Sequence, residues 1–384
     1  MKLHSLAFLV TVAAAVLLSG CSAKTVTEQR KAYAEHDEGK ITFGVAWPFE
    51  KGNDLFWEGV ELAVSEINGN GGVLNRKIEI IQRDDESSVT KGLEIAQEFA
   101  ENEKVTAVIG HRNSYVSIPT STIYEKAGIV MLSPASSSPE LIKDNQQFIF
   151  RNITSDEKLA QELAFYAFKN KHKKMVILYD DNDYGKGLAN AFEKQAGELE
   201  LDIVDRLSFY SGSSELGQLK YKWENLQYDG IFIAKSNPEG AQFIAELRKA
   251  NINVPLYAGN AVDTLDLIKI AGEKAAEGMV IGSFFNPEGS RKKINNFITD
   301  FRNTYGEPPT QYSAQGYDSV YLLVEAIKRA GITVPEKVAS SMRTIKNWEG
   351  VAGFHQFDEN GEDIGDLVVM KVVTNGGFQY LEND

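Results

Sequence analysis

The chain has 384 residues, 43% hydrophobic and 24% charged, which excludes wholesale disorder and fibrous repeats and leaves room for more than one core. Forty basic against 54 acidic side chains give a net charge of −14 with no basic stripe, so a nucleic-acid partner is not expected. A single cysteine permits neither an internal disulfide nor a cysteine zinc site.

The first segment sets the compartment. Lys2 supplies a short positive start, and Leu6 to Leu18 is apolar apart from Thr11. That run is too short to span a bilayer but suits the apolar region of a secretory signal. It ends in Leu18-Ser19-Gly20-Cys21, which matches the bacterial lipoprotein box. Small residues at Ser19 and Gly20 admit the peptidase, and the thiol of Cys21 would carry a diacylglycerol. The expectation is a signal peptide over 1–20, a lipid anchor at Cys21 and an extracytoplasmic body held at a membrane. Residues 21–40 are polar with no clear apolar face and read as a tether.

Beyond the tether two periods alternate. Ile41–Trp47 is a β-rich run, and Leu55 to Ile67 carries Phe56, Val60, Ala63 and Ile67 at helical spacing. Asn68-Gly-Asn-Gly-Gly72 stops that helix, because glycine and asparagine tolerate positive φ. A strand over 78–82, a helix over 90–102 and short apolar strands over 107–110 and 129–132 follow. The rhythm continues with strand 175–179, helix 186–199, strand 202–206, helix 214–227, strand 230–234 and helix 239–250. Short, nearly continuous apolar strands between helices predict parallel sheets covered on both faces. Two such blocks predict an α/β protein of two doubly wound lobes.

Several motifs are excluded by what they lack. Asp180-Asp-Asn-Asp-Tyr-Gly185 and Asp358-Glu-Asn-Gly-Glu-Asp363 miss the terminal glutamate of a calcium loop and read as turns. Gly185-Lys-Gly187 is not a phosphate loop. No Gly-x-Ser-x-Gly elbow or His-Glu-x-x-His helix occurs, and the five histidines are scattered. Neither a metal, a cofactor nor an enzymatic activity is expected.

The order of residues resembles a known family. Asn68-Gly-Asn-Gly-Gly-Val-Leu-Asn-Arg-Lys-Ile-Glu-Ile80, Asp84-Asp85, Val108-Ile-Gly-His-Arg-Asn-Ser114 and Ser133-Pro-Ala-Ser-Ser-Ser-Pro-Glu-Leu141 stand in its register. So do Phe150-Arg151, Asp183-Tyr-Gly-Lys-Gly187, Glu277-Gly278, Gly316-Tyr-Asp-Ser319 and Gly350-Val-Ala-Gly353 with Phe357-Asp358. They resemble type I periplasmic binding proteins of the branched-chain-amino-acid kind, from about residue 41 to the end. The resemblance implies a monomer of two lobes, 41–153 plus 284–352 and 154–283 plus 353–384. Crossovers are then expected near Arg151–Ser155, Gly282–Asn286 and Val351–His355, with ligand held between the lobes by hinge closure. It also implies an ABC permease as partner, with a signalling partner for the same fold as the alternative.

The same resemblance nominates the site. The hydroxyls of Ser114 and Ser137, with Ser136 in the same hydroxyl-rich loop, are expected to hold an α-carboxylate at a helix start. Tyr115 offers an aromatic ring beside them, and Tyr184 is expected to close over the ligand from the second lobe. Arg112 could clamp a second carboxylate. Family members place an acid where this chain has Asn260, which brings no charge to a ligand's ammonium. Asp263 could substitute, or cap a helix starting at Thr264. Ser236 and Asn237 stand where relatives often place aromatics. An amino acid, an amino-free acid, an amide or another small polar ligand all remain open at this point.

Overall fold

A computed structural model of the chain describes residues 25–51, 54–208 and 213–381; the signal peptide and Cys21 lie outside them. Helix α1, Val26–His36, precedes strand β1, Ile41–Trp47. Helix α2 (Phe56–Gly69), β2 (Ile78–Asp84), α3 (Val89–Glu101), β3 (Val105–Gly110), α4 (Ser114–Ala127), β4 (Val130–Ser133) and β5 (Ile149–Arg151) complete the first block. Its five strands lie in the order β2-β1-β3-β4-β5, and every pairing is parallel. All residues of β1 and β3 are buried, because helices cover both faces, and this is why those strands read as unbroken apolar runs. Helix α2 ends as expected: Gly71 and Gly72 sit at φ +100 and +87. A Cβ on Gly72 would fall 2.0 Å from the carbonyl oxygen of Arg76.

The second block runs α5 (Asp156–Lys169), β6 (Lys174–Tyr179), α6 (Asp183–Glu198), β7 (Asp202–Leu207), α7 (Ser213–Leu226), β8 (Gly230–Ala234) and α8 (Glu239–Lys249). It continues through β9 (Leu256–Ala258), α9 (Asp266–Ala271), α10 (Glu273–Ala276) and β10 (Val280–Ser283). The chain then returns to the first lobe with α11 (Lys292–Tyr305), α12 (Gln311–Ala330), α13 (Pro335–Met342) and the two-stranded β11 (Trp348–Glu349) and β12 (Phe354–His355). Phe297, Tyr312, Leu323 and Met342 from these helices share one core with Phe43, Phe56 and Ile109 of the first block. Strands β13 (Val369–Thr374) and β14 (Gly377–Tyr380) close the second sheet in the order β14-β13-β10-β9-β8-β6-β7. Pairing is parallel from β7 to β10 and antiparallel from β10 to β14, so a hairpin edges an otherwise parallel sheet.

Where the chain passes between the sheets, buried polar groups fix it. Asn152 donates from Nδ2 to the Gln315 carbonyl at 3.2 Å, and Ser319 Oγ donates to Asn152 Oδ1 at 3.2 Å. Asp318 accepts the N–H groups of Val351 and Ala352 at 2.8 Å each. His355 lies between Asp363 at 2.6 Å and Asp318 at 3.2 Å.

One expectation fails in the described part of residues 21–40. The stretch read as a tether contains α1, started by a capping box. Thr25 Oγ1 accepts the Glu28 N–H at 3.2 Å, and Glu28 Oε2 accepts the Thr25 N–H at 2.8 Å. The helix is docked by hydrogen bonds of the buried Arg30 rather than by an apolar stripe. Hydrophobic periodicity therefore had nothing to detect.

Candidate functional site

The carboxyl ends of β3 and β4 face those of β6, β8 and β9 across a cleft of about 780 Å³, in the size range of small-ligand sites. Parallel strands end here, and the loops that follow them deliver the lining. From the first lobe come Arg112, Ser114, Tyr115 and Ala135, with Tyr312 from α12. From the second come Asp180, Tyr184, Ser236, Asn237, Glu239 and Asn260.

Ser114 opens α4, and no side chain caps that helix: Asn113 makes no cap hydrogen bond and its Oδ1 is buried without a partner. The helix start therefore offers the cleft a hydroxyl, main-chain N–H groups and the positive end of the helix dipole. Ser114 Oγ also accepts the Ser138 N–H at 3.3 Å, tying α4 to the loop after β4. Tyr115 stands beside it, anchored by its hydroxyl on the Ser87 carbonyl at 3.2 Å. Opposite, Tyr184 is buried near the start of α6, its hydroxyl 3.5 Å from Asn260 Oδ1 and accepting the Ala261 N–H at 3.3 Å. Burial, reinforced by the charge of Asp156, pushes the Tyr184 phenol well above its ordinary value. The phenol keeps its proton and is a donor at neutral pH.

Other nominated residues lie outside the lining or are held by other groups. Ser136 does not line the cleft; its hydroxyl bonds Ser117 Oγ at 2.5 Å and the His111 carbonyl at 3.2 Å. Ser137 is fully buried outside the lining; its carbonyl accepts the Asp156 N–H at 2.8 Å, and its hydroxyl has no hydrogen-bond partner. Asp263 neither lines the cleft nor caps a helix. It is buried in an ion pair with Lys371 and accepts the Ser283 hydroxyl at 2.5 Å, while α9 begins only at Asp266. The cap expectation fails because an ammonium from β13, far along the chain, claims the carboxylate. Asn237 reaches the lining, but its amide is spent on Val262 O at 2.9 Å, Thr264 Oγ1 at 2.8 Å and the Ala241 N–H at 3.1 Å. Arg112 lines the cleft without being a free clamp. Its guanidinium lies 4.9 Å over the Tyr312 ring and its Nε is 3.8 Å from Asp54.

Four contributors escaped sequence reading. Asp54 is buried, accepts Trp47 Nε1–H at 3.0 Å and sets the position of Arg112. Tyr312 supplies a wall from the first turn of α12, ahead of the Gly316-Tyr-Asp-Ser319 motif on the same helix. Lys235 neutralises Asp180 at 2.5 Å, which removes that acid as a partner for a bound cation. Gln311 Nε2 donates across the cleft to the carbonyls of Asn260 at 2.8 Å and Asp263 at 3.1 Å. Each lies far in sequence from the residue it serves or carries no local signature. His111 is buried between Asp85 at 2.7 Å and Tyr124 at 3.2 Å.

Comparisons with known proteins agree with this architecture. An ABC transporter substrate-binding protein from Desulfitobacterium hafniense, solved in complex with Leu, is 48% identical with a TM-score of 0.82, covering 89% of this chain and 100% of that one. A leucine-binding protein from Thermotoga maritima is 29% identical, also with a TM-score of 0.82, over 89% of this chain and 98% of that one. A Leu/Ile/Val-binding protein homolog of Brucella abortus is 30% identical over 351 residues, 89% of this chain and 93% of that protein. The profile described as "Periplasmic binding protein" matches residues 48–377. With two α/β lobes around a lined cleft, the chain belongs to the periplasmic binding protein family, whose members bind solutes rather than transform them.

Proposed function

We propose that the protein captures an aliphatic α-amino acid between its lobes and delivers it to the permease of an ABC importer, held at the membrane by a lipid on Cys21. The observation that carries this reading is the 48% identical relative solved with Leu. The local chemistry supports it. The uncapped start of α4 and Ser114 suit an α-carboxylate. The ammonium would then lie against Asn260 Oδ1 and the Tyr184 oxygen, two neutral acceptors. The aliphatic side chain would meet Tyr115, Ala135, Ile270 and the Tyr312 ring. Ligand touching both lobes favours the closed state by its differential affinity, and that difference drives closure.

A thermal-shift panel on the mature body tests this, pairing leucine, isoleucine and valine with their amino-free analogues. A ligand at a thousand times its Kd adds about 4 kcal/mol of stability, enough to move the midpoint visibly. Stabilisation by the amino acids is expected. Stabilisation by the amino-free acids alone would overturn the ligand assignment.

A further inference from the structure

Helix α1 lies outside the residues matched by the family profile, which begins at residue 48, yet it is tied firmly to the first lobe. Arg30 is 1% exposed. Its Nη2 donates to the Ala100 carbonyl at 2.7 Å and the Phe99 carbonyl at 3.3 Å, and its Nη1 to the Asn102 carbonyl at 3.3 Å. Phe99 and Ala100 are in the last turn of α3, whose carbonyls lack intrahelical partners and where a cation complements the helix dipole, and Asn102 is the residue that caps it. Thr27 Oγ1 donates to the Lys126 carbonyl at 3.2 Å at the end of α4, and a Cβ on Gly128 would meet its methyl at 2.7 Å. At the other end of α1, Arg76 pairs with Asp37 and bonds the carbonyls of Gly39 at 2.5 Å and Lys40 at 3.3 Å. Residues 25–40 are thus fastened along their length.

The position of this fastening is what matters. Helix α4 starts at Ser114 in the cleft and ends at Ala127, so its far end lies about 20 Å away at a rise of 1.5 Å per residue. Helix α1 therefore crosses the pole of the first lobe opposite the cleft. Resting on the lipid anchor at Cys21 proposed above, the attached chain from Cys21 to Thr25 spans at most about 14 Å in any conformation. We infer that α1 makes the anchor a short leash, so that the pole formed by α1 and the carboxyl ends of α3 and α4 faces the lipid surface while the second lobe is held away from it. Exposed side chains on this pole carry both signs (Glu28, Lys31, Glu101, Glu103, Lys104 and Lys126). Attraction to lipid charge does not set this orientation; the length of the leash does.

The test uses the full-length lipidated protein in phosphatidylcholine vesicles containing a headgroup-labelled energy acceptor. Acylation consumes the Cys21 thiol, so a donor dye reports from one introduced position. One is Lys104→Cys, at the pole. The other is Lys249→Cys, exposed at the end of α8 in the second lobe, ten residues beyond the cleft-lining Glu239. Transfer is expected to be several-fold greater from position 104 than from 249. Inserting about twelve Gly/Ser residues between Ser22 and Ala23, a coil reaching roughly 20 Å, should bring the ratio toward one without changing stabilisation by leucine. Arg30→Ala should act in the same direction by releasing α1. Equal transfer from both positions, or a ratio indifferent to the insertion, overturns the inference while leaving the anchor in place. An unacylated N-terminal peptide by mass spectrometry, with protein free of the vesicles, overturns the anchor and the orientation together.

Discussion

Asn260→Asp would place a charge where the family resemblance implies an acid. In this structure Asn260 is 2% exposed, its Oδ1 faces the Tyr184 hydroxyl, and its carbonyl is held by Gln311. The side chain is therefore fixed where a ligand ammonium would meet it. A hydrogen bond to a charged group contributes about 1.5–3 kcal/mol, against about 0.5–1.5 for a neutral pair. The net gain should be about 1–1.5 kcal/mol, close to tenfold in Kd. Without ligand the new carboxylate would be buried beside a phenol, near Asp156 and Asp180, the two acids that already raise the Tyr184 pKa. The ligand-free variant should therefore melt at lower temperature than the parent. Calorimetric titration with leucine and with 4-methylpentanoate, alongside melting curves, separates the two effects. The expected pattern is tighter leucine, weaker 4-methylpentanoate and a larger leucine-induced shift. Equal weakening of both ligands would refute the placement of the ammonium at Asn260.

Ser114→Ala should weaken leucine binding by about 1–3 kcal/mol, because a carboxylate oxygen loses its hydroxyl donor; unchanged affinity in a titration would remove Ser114 from the site. Lys371→Met should cost about 3–5 kcal/mol of stability by leaving Asp263 buried without its cation, with partial recovery on adding Asp263→Asn. A denaturation midpoint that does not move would contradict this. Stability should also fall as pH rises, through two groups in separate windows. Burial pushes the Asp156 carboxyl up to about 7 despite the Ser137 hydroxyl and Arg151, so its ionisation penalty grows between the ordinary carboxylate range and pH 7 and is absent below. Burial would lower His355, but Asp363 and Asp318 outweigh it and lift the imidazole to about 9. Its stabilisation is complete below about 6.5, the unfolded value, and is lost as pH rises through 9. Asp156→Asn should flatten the lower window by a term on the order of 4 kcal/mol and His355→Gln the upper one by a term on the order of 3 kcal/mol. Parallel pH profiles for parent and variants would contradict both assignments.

The alternation of strands and helices from 41 to 250 was legible because each strand is buried on both faces and each helix has one apolar side. Strands 41–47 and 230–234 appear with the same bounds as expected, and the others shift by one to three residues at one end or both. Helix α1 was not legible, since its docking rests on Arg30 and three carbonyls rather than on periodicity. Strands β13 and β14 were missed because their place is set by pairing with β10, nearly ninety residues earlier in the chain. At the site, Ser114 and Tyr184 could be placed from motifs adjoining strand ends. Ser136 and Ser137 belong to the same motif, but neither lines the cleft: the Ser136 hydroxyl is held by Ser117 and the His111 carbonyl, and Ser137 is fully buried. The role of Asp263 was decided by Lys371, more than a hundred positions away, and no local pattern announces such a partner.

A crystal structure of the mature body with leucine bound tests the central claim most directly. A leucine carboxylate oxygen is expected within about 3.2 Å of Ser114 Oγ, with the ammonium against Asn260 and Tyr184 and both lobes in contact with the ligand. Leucine in the reverse orientation, with its carboxylate on the second lobe and Ser114 untouched, would contradict it.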